Sequence, residues 1–301
     1  MDIKTLESYA RKIQVIPKPN QDVEVRNHSP LQMIGKGRQG AVFLLSEDQC
    51  MKVYGTSEDC EREYYALKLG QHTNLVPKVY VKGNNFIVME LVKGVDLREY
   101  LQSQPLTEEL SKKLIDMLIT FKKIGYERID HHKRQIYLQE NGELKVIDVG
   151  RTVWRDRVYP YPRKLINSLG NEYKETFLSH VKKLAPELYE EWKHYMEMEK
   201  WSSQVTQTLL KRKEQPKKIK KEVKKLLTSN VETKYEKALE DIVYKVFKEE
   251  WVKVLIAQGK DPEAVKKHLK EQYGKEIGKA WGKPSIESTK LRYGRKKNRR
   301  K

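Results

Sequence analysis

At 301 residues the chain is long enough for one large domain or for a core with an appended module. Charged side chains make up 34% of it and the formal net charge is +19, but residues 1–150 carry 22 basic and 21 acidic side chains whereas residues 201–301 carry 29 and 13, so two zones of different character are expected. Cys50 and Cys60 are the only cysteines, which argues against a disulfide framework, and neither a signal-peptide core nor a membrane-spanning run occurs, so a cytoplasmic protein is expected.

In chain order, residues 6 to 16 have the spacing of a short helix, and Leu31 to Tyr54 reads as strand pieces interrupted by G-K-G-R-Q-G. Residues 58 to 71 set Tyr64, Tyr65, Leu67 and Leu69 among charges as an amphipathic helix does, and Val79 to Val81 and Phe86 to Leu91 return to strand character. From Asp96 the spacing of Leu97, Tyr100, Leu101, Leu114, Ile115, Leu118 and Phe121 is helical. Ile136 to Leu138 and Leu144 to Ile147 flank Asn141-Gly142, a strong hairpin signal. Beyond Gly150 helices are expected over 165–184 and 188–201 and through Tyr235, Leu239, Ile242, Val246 and Val254, with another opened by Asp261-Pro262 and closed by Gly274. Periodicity then ends in the basic tail R-Y-G-R-K-K-N-R-R-K.

Gly35, Gly37 and Gly40 form G-x-G-x-x-G, followed by Ala41 and Val42, a turn that can close over phosphates without side-chain obstruction. By itself the pattern also fits an ordinary Gly-rich hairpin; a dinucleotide fingerprint requires a helix next, and A-V-F-L-L is strand-like. Lys52, inside the apolar strand C-M-K-V-Y, needs a partner for its ammonium, and Glu63 on the next helix, or alternatively Glu61, can supply it. Asp130 and Asp148 lie on either side of the hairpin, the second in V-I-D-V-G. Each alone is as well explained by a loop cap.

Taken in this order, the motifs of residues 31 to 150 resemble a divergent Ser/Thr protein kinase core, similar to compact bacterial and RIO-like kinases. The resemblance implies an α+β fold of two lobes: an antiparallel sheet with one helix over 31–92 and a mainly helical lobe over 93–210. An N-terminal extension (1–30), a basic helical extension (211–280) and a basic tail (281–301) complete the chain. It implies ATP and Mg2+ as cofactors. Gly35, Gly37, Gly40 and Val42 would cover the nucleotide, Met89 would sit behind the adenine, and the backbone from Glu90 to Val92 would hydrogen-bond it. Lys52 and Glu63 would hold the α and β phosphates, Asp148 and Gln135 the metal, and Asp130 the Ser or Thr hydroxyl of a protein substrate.

The loop R-I-D-H-H-K-R-Q departs from H-R-D-x-K-x-x-N: Gln135 stands at the metal-binding Asn, and His132, beside Lys133, at the loop Lys. His131 and His132 lack the further ligands of a zinc site and read as loop or phosphate-facing side chains. A-P-E at Ala185 to Glu187 falls in a helical context and reads as coincidence, leaving an activation segment that is reduced or absent.

In the basic zone, residues 216 to 227 place Ile219, Val223, Leu226 and Leu227 on one helical face with lysines opposite, suited to an anionic surface or to packing on the core. The tail, with Trp281 and Tyr293 nearby, suits nucleic acid ahead of an anionic membrane surface. A pseudokinase or nucleic-acid-binding adaptor, and a small-molecule phosphotransferase, are the competing functional readings; the sequence carries no indication of oligomeric state.

Overall fold

The computed structural model describes residues 2–155, 157–210, 218, 221–222, 233–261 and 264–265. Helix α1 (Ile3–Arg11) is capped by Asp2, whose carboxylate accepts the Thr5 N–H at 3.1 Å. The expected helix over 6–16 is shorter than its pattern suggests. Ile13–Ile16 is instead strand β1, antiparallel to β2 (Glu24–Asn27). Its β-branched residues favour the extended form, and the Lys12 carbonyl accepts the His28 N–H at 2.9 Å instead of continuing the helix.

The next five strands are β3 (Met33–Lys36), β4 (Gly40–Leu44), β5 (Gln49–Tyr54), β6 (Val79–Lys82) and β7 (Phe86–Glu90), paired antiparallel in the order β3-β4-β5-β7-β6. Helix α2 (Ser57–Gly70) follows β5, capped by the Thr56 hydroxyl at 3.2 Å from the Asp59 nitrogen. Side chains alternate across a strand. Ala41, Phe43, Met51, Val53, Phe86 and Val88 therefore fall on one face, where they form a buried cluster with Leu6, Ala10 and Ile13. Their neighbours Val42, Cys50, Lys52 and Met89 are left to the opposite face.

The helical lobe contains β8 (Val95–Asp96), α3 (Leu97–Ser103), α4 (Glu108–Lys123), β9 (Ile136–Leu138), β10 (Leu144–Val146), α5 (Arg163–Leu169) and α6 (Asn171–Leu184). In α4 the helically spaced Leu110, Leu114, Leu118 and Phe121 are all buried. Strands β9 and β10 pair as the Asn141-Gly142 signal implies, but through a longer loop than a two-residue turn: Leu138 faces Leu144, and the Gly142 N–H donates to the Gln139 carbonyl at 2.9 Å. Gly170, at φ +86°, divides the expected helix over 165–184 into α5 and α6. The A-P-E tripeptide is the junction between α6 and α7 (Pro186–Leu210), with Pro186 at the first helical position. The architecture is thus α+β with an antiparallel-sheet lobe and a helical lobe.

The chain divides into two compact units, Met1–Arg155 with Tyr161–Trp192, and Asp156–Pro160 with Lys193–Lys301. The first holds the sheet, α1 to α6 and residues 186–192 of α7. In the second, α7 and α8 (Thr233–Ala257) bury Leu209, Leu210, Val243 and Phe247 together. There the Arg157 guanidinium lies 3.7 Å from the Tyr244 ring centre and the Tyr159 hydroxyl 3.1 Å from Glu249. Among the described residues no helix is long and apolar enough to cross a membrane. Most of the expected basic helix over 216–227 and of the helix after Pro262, and all of the tail with Trp281 and Tyr293, lie outside the described residues.

Phe43 has no solvent exposure and fills the space between the sheet and α1. Phe43→Ala is expected to cost about 3–5 kcal/mol of stability, read as a lowered urea midpoint with an unchanged m-value.

Candidate functional site

Lys52 lies in the middle of β5, opposite Val42 on β4 and Ile87 on β7. Its Nζ is 2.8 and 2.7 Å from the two Glu63 carboxylate oxygens and 3.1 Å from Asp148 Oδ1. Lys52 is 9% exposed and Glu63 2%. Glu61, the other possible partner, faces away and pairs with Lys82 at 2.6 Å. Burial acts against charge on Lys52, but the Glu63 and Asp148 carboxylates outweigh it and hold the ammonium above its ordinary pKa. Burial pushes the Glu63 carboxyl up, with Lys52 opposing, while the Lys52 charge holds Asp148 below the usual carboxylate range.

Asp148 follows β10 in the left-handed region, at φ 59° and ψ 49°, and opens the 3-10 turn Val149–Arg151. This turn lies against α2. A Cβ on Gly150 would fall 3.0 Å from Glu63 Cβ and 3.2 Å from its Oε2, so the glycine of D-x-G eases the close approach of α2 that brings Glu63 to Lys52. Gln135 donates from Nε2 to Asp148 Oδ2 at 3.1 Å. Its Oε1 accepts from the His132 N–H at 3.1 Å and from Lys164 Nζ at 3.3 Å. With two donors on one side and a carboxylate on the other, the network itself fixes which way the amide points.

Asp130 is buried, and its Oδ1 accepts the N–H groups of Lys164 at 2.5 Å and Leu165 at 3.0 Å, in the first turn of α5. Burial raises its pKa, with Arg128 opposing. His131, 3% exposed, packs its ring tilted against Phe121 with 5.3 Å between ring centres, and burial pushes its pKa down to about 3. His132 caps the 3-10 turn Lys133–Gln135, its Nδ1 accepting the Arg134 N–H at 3.2 Å.

Opposite these groups lies the glycine turn. A Cβ on Gly40 would meet the Val53 carbonyl oxygen at 2.4 Å, so glycine there is a demand of the sheet, whereas Gly35 and Gly37 face open space. Gln39 at the turn donates to Asp59 of α2 at 2.6 Å. At the end of β7 the Glu90 and Leu91 N–H groups donate to the carbonyls of Lys78 and Asp48, at 2.8 and 2.9 Å. The Glu90 carboxylate pairs with buried Lys145 and takes the Lys78 N–H at 3.0 Å, so this side chain serves the structure.

All these elements converge on one cleft of about 770 Å³ within the first unit. It is lined by every residue singled out above: Gly35, Gly37, Gly40 and Val42; Lys52 and Glu63; Met89, Glu90 and Val92; and Asp130, Gln135 and Asp148. The sequence reading missed Arg128, Arg151 and Lys164, which also line the cleft. Arg128 opens the quoted R-I-D stretch and could have been marked by its place two residues before Asp130; Lys164 lies outside any motif and comes to the site only through the placement of α5. Among the described residues no cluster of three His, Cys, Asp or Glu side chains could hold a metal unaided. The donor set nevertheless fits Mg2+, which is commonly held by one or two carboxylates together with substrate phosphates.

Removing one partner of the buried pair strands the other. Lys52→Met is expected to cost about 3–5 kcal/mol at pH 7 by urea unfolding, and adding Glu63→Leu to recover most of it. A carboxyl whose folded-state pKa lies above its unfolded value stabilises the fold while protonated and loses that contribution as pH rises through the folded pKa. The deficit of Lys52→Met against the unaltered protein should therefore shrink as the pH is lowered, as Glu63, already raised by burial, takes up a proton.

No protein-family model matches the chain. It is 31% identical over 125 residues to CBL-interacting serine/threonine-protein kinase 5 of Arabidopsis thaliana, covering 39% of this chain and 28% of the relative. It is 30% identical over 129 residues to the putative serine/threonine-protein kinase YrzF of Bacillus subtilis (strain 168), covering 40% of this chain and 59% of the relative. The chain thus spans less than two thirds of the length of these relatives. Among solved structures, the ternary complex of streptomycin, ATP and APH(2")-IIa matches at 13% identity with a TM-score of 0.37, over 82% of this chain and 98% of that one. With the two-lobed fold and its cleft described above, the chain is similar over about two fifths of its length to Ser/Thr protein kinases.

Proposed function

We propose that the cleft binds ATP with Mg2+ and transfers the γ-phosphate to a Ser or Thr hydroxyl of a protein substrate. The observation that carries this reading is the Lys52 ammonium held between Glu63 and Asp148, beneath a glycine turn that is open to the cleft and across from Asp130. In this reading Lys52, held by Glu63, binds the α and β phosphates, and Gly35, Gly37, Gly40 and Val42 cover the nucleotide. Met89 backs the adenine, and the chain from Glu90 to Val92 presents backbone groups to its edge. Catalysis is positioning and charge stabilisation, since phosphoryl transfer asks little covalent chemistry of the protein.

Asp148 and Gln135 would hold the magnesium ion, which neutralises phosphate charge when bound. Gln135 can contribute its oxygen only by turning its amide over, giving up the bonds from His132 and Lys164. Asp130 orients the acceptor hydroxyl and takes its proton on Oδ2, because Oδ1 is engaged by α5. Its burial raises its basicity in the direction a general base requires.

The proposed organisation is an N-terminal extension over 1–30, lobes over 31–92 and 93–210, and a basic zone over 211–301 that regulates or localises the protein through an anionic partner, nucleic acid ahead of membrane. A second reading, a nucleotide-binding scaffold without transfer, is favoured by one observation: Gln135 presents its NH2 group, not its oxygen, to Asp148.

The test is transfer of labelled γ-phosphate from Mg-ATP to the protein itself and to a generic Ser/Thr acceptor. Asp130→Asn is expected to lower the rate about 100-fold or more while nucleotide still binds, and Asp148→Ala to bring it to background. Nucleotide binding with no transfer by the unaltered protein would select the scaffold.

A further inference from the structure

The loop around Asp130 has no lysine where a cation would steady the phosphoryl group in transit. His132 holds that sequence position, but its ring accepts the Arg134 N–H at 3.2 Å and closes the 3-10 turn. The neighbouring Lys133 donates its N–H to Ser168 at 3.1 Å and does not line the cleft. Of the two candidates within the loop, His132 has its Nδ1 engaged in the turn and Lys133 does not line the cleft.

Lys164 does line the cleft, and it is tied to both sides of the reaction centre. Its main-chain N–H donates to Asp130 at 2.5 Å, which fixes the start of its side chain beside the acceptor carboxylate. Its Nζ reaches Gln135 Oε1 at 3.3 Å, and the same amide donates to Asp148 at 3.1 Å, which fixes the other end beside the phosphate side. The ammonium therefore lies on the line of groups running from Asp130 to Asp148. Its described partner there is a neutral amide oxygen, the atom that the proposed metal would draw away.

We infer that Lys164 is a catalytic residue, whose ammonium, delivered from α5 instead of from the loop, contacts the γ-phosphate and stabilises it during transfer. The inference rests on the phosphotransfer reading above. In the step the bond between the γ-phosphorus and the ADP oxygen breaks, the bond to the acceptor oxygen forms, and the hydroxyl proton goes to Asp130. Lys164 only donates hydrogen bonds to the phosphoryl oxygens and keeps its protons. Charge-assisted bonds of this kind are among the stronger ones a site can offer.

The experiment compares the full-length protein with Lys164→Met, Lys164→Arg and Lys133→Met, measuring affinities for Mg-ATP and Mg-ADP by calorimetry and kcat by labelled transfer. Lys164→Met is expected to weaken ATP about tenfold with ADP unchanged, because only ATP carries the γ-phosphate, and to lower kcat about 100-fold. Lys164→Arg should regain part of both losses, and Lys133→Met should match the unaltered protein. An equal loss for ATP and ADP would mark a structural role and overturn the inference, as would an unchanged ATP-to-ADP ratio in Lys164→Met. If the unaltered protein binds nucleotide without transferring phosphate, the phosphotransfer reading fails and the ratio still decides whether Lys164 meets the γ-phosphate. Absence of nucleotide binding would overturn both.

Discussion

Lys52 Nζ joins three segments that are far apart in the chain: β5, helix α2 through Glu63, and the turn after β10 through Asp148. A buried ammonium is tolerated only with its charge matched and its donors engaged, so this one group constrains much around it. Helix α2 must approach close enough for both Glu63 carboxylate oxygens to accept from the Lys52 ammonium. That approach brings Glu63 to 3.0–3.2 Å from where a side chain at Gly150 would begin, a tight fit. Asp148 must in turn leave β10 in a left-handed conformation to aim its carboxylate back at the same point. The cleft is where these demands meet.

The sheet has two faces with different duties. The far face is covered by α1 and β1, whose Leu6, Ala10 and Ile13 join the apolar side chains of β4, β5 and β7. The near face is left free for chemistry because alternation along β5 sends Met51 and Val53 one way and Lys52 the other. The N-terminal segment also touches the site's roof: the Val23 N–H donates to the Gly37 carbonyl at 2.9 Å, while Gln39 holds the other side of the turn to Asp59. The glycine-rich turn is thereby anchored at its base and at its flank, with its open side toward the cleft.

What could be read from the sequence was what local order encodes. The glycine spacing, a lysine stranded in an apolar run, a carboxylate on the following helix, and two aspartates around a hairpin all keep their relation along the chain, and the structure brings every one of them to the same cleft. The choice between Glu63 and Glu61 turned on the rotational phase of α2, which the packing of that helix sets. Where tertiary contacts decide, the sequence was mute. Ile13 to Ile16 continues a helical apolar pattern, yet pairing with β2 makes it a strand. The orientation of the Gln135 amide follows from donors on His132 and Lys164, and Lys164 comes near only because α5 folds back to give its first-turn N–H groups to Asp130.

Residues 148–155 and the start of α5 are tied down at several places in the first unit. The Thr152 carbonyl accepts the Arg128 N–H at 3.0 Å, the Glu127 carboxylate takes the Arg155 N–H, and Asp130 takes the first-turn amides of α5. Fixing one residue's backbone costs on the order of 1–2 kcal/mol in conformational entropy. With these anchors formed as part of the fold, that loss falls on folding and is not deducted from the affinity for an acceptor. The wall beside Asp130 is in this sense ready-made.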